Sequence, residues 1–220
     1  MDKKTGVKLS ATEFIVASAL LLLSIALFSF IADEIVLEDK NSFDFKIFNW
    51  FAGFTTALNT KIALLFTFFG SPFFMIPAYG VVMFYYSKHK KKKEAILIGV
   101  VALISVLSIF LLKDIFHRHR PPLPLLHEAK GYSFPSGHSL SGFTFSGIMI
   151  YLIFKSNIQR YKKWICAGLL FLFASLIGMS RIYLRVHYPS DVIGGLLVTT
   201  VWLSLTFMAV TEVEKRQLRT

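Results

Sequence analysis

Six long apolar runs, at 14–32, 62–86, 95–116, 139–154, 164–180 and 192–210, are separated by short polar segments. Crossing the hydrocarbon core of a bilayer takes about 20 apolar residues in helical form. Five of the runs reach that length readily. The fourth is short and takes its first turn from Pro135-Ser136-Gly137-His138. The runs are continuous rather than alternating every second residue, so they predict helices and not the strands of a membrane barrel. The first run is expected to be a retained helix. It is longer than a signal-peptide core, and Phe30 stands where cleavage after Ala32 would want a small residue. The pattern predicts an all-α protein: an integral membrane bundle of six transmembrane helices in a single domain over 1–220, its functional core at about 95–210.

Between the first two runs, Phe43, Ile47, Phe51, Phe54 and Leu58 recur at helical spacing, interrupted by Asp44, Lys46, Asn49 and Asn59. Segment 42–59 is therefore a candidate interfacial helix lying along the membrane surface, either packing there or guiding a lipid.

Composition agrees with a membrane protein. Hydrophobic residues make up 55% of the chain and charged ones 17%, against roughly 25% charged in soluble domains. The formal net charge is +11. No basic face carries interleaved base-stacking residues, so nucleic acid is not an expected partner. The excess reads as membrane topology. With the N-terminus inside, the inner segments hold Lys3, Lys4 and Lys8, then the lysines at 88 and 90–93, then Lys155, Arg160, Lys162 and Lys163, and finally Lys215, Arg216 and Arg219. Fewer Lys and Arg fall outside. The bias predicts a multi-pass plasma-membrane protein with both termini cytoplasmic. The lone Cys166 excludes an intramolecular disulfide and a cysteine zinc cluster.

The outer loops carry the chemistry. One opens at Lys113 and runs through His117-Arg118-His119-Arg120-Pro121. On a helix continuing to Arg120, Lys113 and Arg120 would face one side, and Pro121 would end it. The loop closes at Ser136, a candidate N-cap, and Gly137, where a ligand can approach the backbone; together they make an anion cradle at a helix start. In the other loop Arg181 precedes His187, and Asp191, in the first turn of the last helix, can reach back to that histidine. An Asp–His pair fixes the imidazole tautomer and leaves the other nitrogen free to attack. Two histidines, three cations and a backbone cradle are what phosphoryl transfer needs, because the transferring group spreads negative charge over its oxygens.

Lys113 through Arg120-Pro121, then Pro135-Ser136-Gly137-His138, then Ser180-Arg181 through His187 and Asp191 resemble the three-part signature of the type 2 phosphatidic acid phosphatase family. That family shares its core with bacterial acid phosphatases and vanadium haloperoxidases. The resemblance implies His187 as the nucleophile that forms a phosphohistidine, Asp191 as its orienting partner and His138 as general acid. It implies Lys113, Arg120 and Arg181, with Ser136 and the Gly137 backbone, as phosphate ligands. It also implies hydrolysis without a metal or other cofactor; the Lys and Arg bias puts the site at the periplasmic or exterior face. The substrate is then a phosphorylated membrane lipid: undecaprenyl diphosphate, phosphatidylglycerol phosphate, phosphatidate or lipid A.

Rival readings are a phosphotransferase passing the phosphate to an acceptor other than water, and a phospholipid transporter; a vanadate-dependent peroxidase fits six spans poorly. His117, His119 and His127 could suggest a metal, but only Asp114 and Glu128 stand near them in sequence, and a structural or surface role is expected. Arg118 and Arg185 are expected to meet lipid headgroups, with added phosphate contacts as the alternative. Gly194 and Gly195, like Gly142 and Ser146, are expected to serve close helix packing.

Overall fold

The computed structural model describes residues 11–37, 42–126 and 130–217. Among these the regular elements are helical. Helix α1 (Ala11–Phe30) continues into a π-helical stretch, Ile31–Leu37. Then come α2 (Ser42–Ala52), α3 (Ala57–Phe69), α4 (Pro72–Lys88), α5 (Lys92–Phe116), α6 (Gly137–Lys155), α7 (Arg160–Tyr183) and α8 (Pro189–Gln217). Five helices, α1 with its continuation and α5 to α8, are long and apolar enough to cross a membrane. A sixth span is formed if α3 and α4 are taken together.

That sixth span is not the straight helix expected from 62–86. The two halves meet at 44°. Pro72 cannot donate a backbone hydrogen bond and pushes Ser71 out of helical geometry, to ψ 155°. Gly70, just before the break, packs so closely that a Cβ there would lie 2.6 Å from Ile177 Cγ2 and 3.0 Å from His138 Cβ. The bend thus sits against α7 and the first turn of α6.

In the bundle, α6 packs against both α7 and α8, α1 lies along α8, α3 along α7 and α4 along α5. Phe134, fully buried, joins the layers: its ring lies 5.5 Å from that of Phe28 and 5.0 Å from that of Phe116. Small hydroxyls link helices where hydrocarbon offers no water. Ser105 on α5, Thr144 on α6 and Thr199 on α8 form a chain at 3.1 and 3.2 Å, the kind of polar contact that glues membrane helices. Large apolar side chains such as Phe73, Leu22 and Phe110 point outward, as a lipid-facing surface requires.

Helices α5 and α7 end, and α6 and α8 begin, at one end of the bundle. The lysines of the α4–α5 turn lie at the other end of α5, about 37 Å away along its axis. Lys155, at the C-terminal end of α6, shares that far end and pairs with Glu94 at 3.7 Å.

Candidate active site

Helix α5 does not run on to Arg120. It stops at Phe116, and His117 takes a left-handed conformation, φ 47°, as its cap. The His117 ring packs edge-on against Tyr132 at 4.5 Å. The chain then runs without regular structure, which carries Arg118 and Arg120 in different directions. His127 and Glu128 lie outside the described residues.

Arg120 reaches the centre of the site. Its Nε donates to the Gly131 carbonyl at 2.9 Å, one terminal nitrogen to Lys130 O at 2.9 Å, and the other to Val186 O at 2.7 Å. That last nitrogen also faces His187 Nε2 at 3.2 Å. Lys113, one turn from the end of α5, donates to the carbonyls of Tyr132 and Ser133.

His187 is buried just before α8. Its Nδ1 lies 3.3 Å from Asp191 Oδ2, four residues on. The same oxygen accepts the Tyr188 backbone N–H at 2.9 Å, and the Asp191 N–H donates to Tyr188 O at 3.0 Å, so the first turn of α8 holds the carboxylate rigidly. A guanidinium cannot accept a hydrogen bond. The Arg120 contact suits the tautomer that carries its proton on Nδ1, toward Asp191, and leaves Nε2 as acceptor; the Ser133 backbone also meets the ring. Burial first, then Arg181, Lys113 and Arg120, hold the imidazole pKa well below its ordinary value.

Helix α6 begins as expected. Ser136 is its N-cap; Ser139 donates to Ser136 Oγ through both its N–H, at 3.5 Å, and its hydroxyl, at 2.9 Å. The Ser136 N–H donates to the Asp191 carbonyl at 3.0 Å, which ties this helix start to that of α8. Gly195 makes the close approach possible: a Cβ there would lie 3.1 Å from Leu140 N and 3.2 Å from Ser136 O, both backbone atoms. A Cβ on Gly137 would meet only Ile109, at an ordinary 3.4 Å. Packing does not demand glycine at 137, whereas close approach of a ligand would. His138 follows on the first turn, and Lys113, Arg120, Arg181 and His187 all act on it electrostatically.

Arg181, near the end of α7, is buried and donates one terminal nitrogen to Thr67 on α3. Its Nε is buried with no hydrogen-bond partner, a state that costs roughly 1–3 kcal/mol unless something accepts from it.

Arg118 does not point outward as a headgroup contact would. It is buried, with its guanidinium 4.0 Å above the Tyr188 ring, and it ion-pairs with Asp191 Oδ1 at 2.7 Å and Asp44 Oδ2 at 2.8 Å. Burial opposes its charge, but Asp191 and Asp44 outweigh that and raise its pKa. Asp44, on α2, is fully buried, and Phe48 one turn later packs on Ile182, Tyr188 and Val192. In the sequence alone Asp44 reads as a polar interruption of an amphipathic segment.

The sequence model of one family matches residues 93–215; its description is PAP2 superfamily. The chain belongs to the PAP2 superfamily. Phosphatidylglycerophosphatase B of Bacillus subtilis is 34% identical over 137 residues, 59% of this chain and 64% of that protein. Undecaprenyl-diphosphatase BcrC of the same organism is 26% identical over 136 residues, 58% of this chain and 65% of that protein. The aligned stretch thus covers just under two thirds of either relative. The crystal structure of a transmembrane PAP2 type phosphatidylglycerolphosphate phosphatase from Bacillus subtilis superposes with a TM-score of 0.73, at 26% identity, covering 91% of this chain and 96% of that one. This PAP2 chain is thus a multi-pass helical membrane protein, and the three motifs named from sequence all lie within the matched region.

Proposed function

We propose that this chain is a lipid phosphate phosphatase that works through a phosphohistidine on His187. One observation carries the reading: His187 Nδ1 is tied to Asp191 while Nε2 faces Arg120. The imidazole is neutral, oriented, and aims its lone pair at a cation.

In this reading the substrate phosphate enters between Lys113, Arg120 and Arg181. The unmet Arg181 Nε gains an acceptor, and the Ser136–Gly137 cradle at the start of α6 takes another oxygen. Nε2 attacks phosphorus, the bond to the lipid oxygen breaks, and His138 gives that oxygen its proton. Asp191 stabilises the imidazole as it becomes positive. Water then attacks phosphorus with His138 as base, releasing phosphate and restoring His187. The three cations supply charge stabilisation that a metal would otherwise give, so the reaction is expected to proceed with a chelator present.

A phosphate carried on a membrane lipid sits where these helix ends emerge, which favours a lipid substrate. We put phosphatidylglycerol phosphate first, on the strength of the 34% identical relative and of the superposed phosphatase. The test is phosphate release in detergent with a chelator, from phosphatidylglycerol phosphate, undecaprenyl diphosphate, phosphatidate and lipid A. Chelator-resistant release from at least one is expected. If none releases phosphate unless an acceptor such as a sugar is added, the enzyme is a phosphotransferase instead.

The lysine-rich end of the bundle is proposed to face the cytoplasm, with both termini, and the site to face the periplasm or exterior. In a Cys166→Ser background, a cysteine at position 130 should react with an impermeant thiol reagent in intact cells, and one at 91 only after permeabilisation. Equal reactivity at both would overturn this orientation.

A further inference from the structure

Asp44 lies outside the family-matched region, on α2, within the segment that reads from sequence as a candidate interfacial helix. It is fully buried, and all its contacts lead to the site. One oxygen accepts the Ser190 backbone N–H at 2.9 Å; the other accepts the Ser190 hydroxyl at 2.7 Å and an Arg118 terminal nitrogen at 2.8 Å. The other terminal nitrogen of Arg118 donates to Ser190 Oγ and to Asp191 Oδ1, each at 2.7 Å. Ser190 and Asp191 belong to the first turn of α8, the turn that holds His187.

The division of labour at Asp191 follows from this. A guanidinium offers a planar fork that matches both oxygens of a carboxylate. Left alone beside Asp191, Arg118 would take both. Asp44 occupies one arm of the fork, so only the other reaches Asp191, at Oδ1. Oδ2 is left for His187 Nδ1 and the Tyr188 N–H. We propose that Asp44 is a positioning residue: by holding one arm of Arg118 and the start of α8, it reserves Asp191 Oδ2 for His187. Helix α2 is then a working part of the site, contributed from outside the matched core. The inference rests on His187 being the nucleophile.

The test compares wild type with Asp44→Asn, Asp44→Glu, Phe48→Ala and His187→Ala, using the lipid preferred in the panel. Asp44→Asn is expected to lower kcat about 10- to 100-fold, the range seen when a group orienting a functional histidine at second hand is removed, with KM changed less than about threefold because no phosphate ligand is touched.

A packing role alone would not move the pH profile. The charged groups around His187 are Asp191 on α8, Arg118 and Arg120 after α5, Lys113 on α5, His138 on α6, Arg181 on α7 and Asp44 on α2. Removing the Asp44 charge makes this set more positive, and releasing Arg118 onto Asp191 weakens the acceptor that favours protonated imidazole. Both changes lower the His187 pKa. The acid limb of kcat/KM, which needs neutral His187, therefore moves to lower pH in Asp44→Asn and returns toward wild type in Asp44→Glu, which keeps the charge. Phe48→Ala loosens α2 without touching charge and leaves the limb in place.

Wild-type kcat in folded Asp44→Asn, or a lowered kcat with an unmoved acid limb, would overturn the inference. If Asp44→Asn does not fold, the double variant Asp44→Asn/Arg118→Gln removes both buried charges together. Measured beside Arg118→Gln, the folded double variant is expected to match that single variant in kcat, because no guanidinium is left for Asp44 to hold off Asp191 Oδ2; a further tenfold loss would show Asp44 acting otherwise than through Arg118 and refute the inference. His187→Ala separates the two levels: activity in that variant sinks the nucleophile reading itself, whereas its inactivity beside a wild-type-like Asp44→Asn sinks only the role of Asp44.

Discussion

Replacing His187 by alanine is expected to lower phosphate release by at least about 10⁴-fold, as loss of an enzyme's nucleophile does. The variant should still fold. His187 is buried, but its ring meets Asp191, Arg120 and the Ser133 backbone, and each keeps other partners: Arg118 and the Tyr188 N–H for Asp191, three carbonyls for Arg120, Lys113 for Ser133. Lys113, Arg120 and Arg181 remain, so the lipid should still bind. Elution as a homogeneous detergent complex with wild-type helical content, combined with residual release of a few per cent or more, would remove His187 from the mechanism.

The second large effect concerns a proton. Asp191→Asn keeps the shape of the side chain and changes what it donates. Arg118 requires an acceptor at the position of Oδ1, which fixes the amide oxygen there. The amide NH₂ then faces both the Tyr188 N–H and His187 Nδ1. A donor opposite Nδ1–H is repulsive, so the imidazole moves its proton to Nε2 and loses the lone pair that attacks. kcat is expected to fall about 10³- to 10⁴-fold, as when the aspartate of a serine protease triad becomes asparagine. KM should change little. Steady-state rates on the preferred lipid decide it: a fall of less than tenfold in kcat would mean that Asp191 does not set the tautomer.

These predictions use residues that the sequence itself brought forward. His187 and Asp191 are four residues apart at a helix start, Ser136 precedes a helix as a cap should, and the cations stand in or just before two polar segments. Such features are local, and local spacing survives folding. The long helices were legible for the same reason, since a continuous apolar run has few ways to satisfy its backbone in lipid. What sequence reasoning missed is non-local. Arg118 and Asp44 stand 74 residues apart. Each alone reads as a surface charge, because burying an ion is costly until its partner is known. Thr67, which holds Arg181 from 114 residues away, is hidden in an apolar helix in the same way. The early end of α5 escaped because Pro121 marked a stop, while the left-handed turn at His117 came one turn sooner. The bend at 70–72 was readable in principle from Gly70-Ser71-Pro72, but an uninterrupted apolar run outweighed it.

The central claim is covalent: phosphate passes through His187. The most direct measurement is to mix the protein with its preferred lipid labelled with ³²P at the scissile phosphate, quench in alkali within milliseconds, and locate the label by peptide mapping. The account predicts an alkali-stable, acid-labile label on the peptide containing His187, released on exposure to acid and absent from His187→Ala. Label on another residue would contradict it, as would burst-phase turnover that leaves no phosphorylated protein at any time.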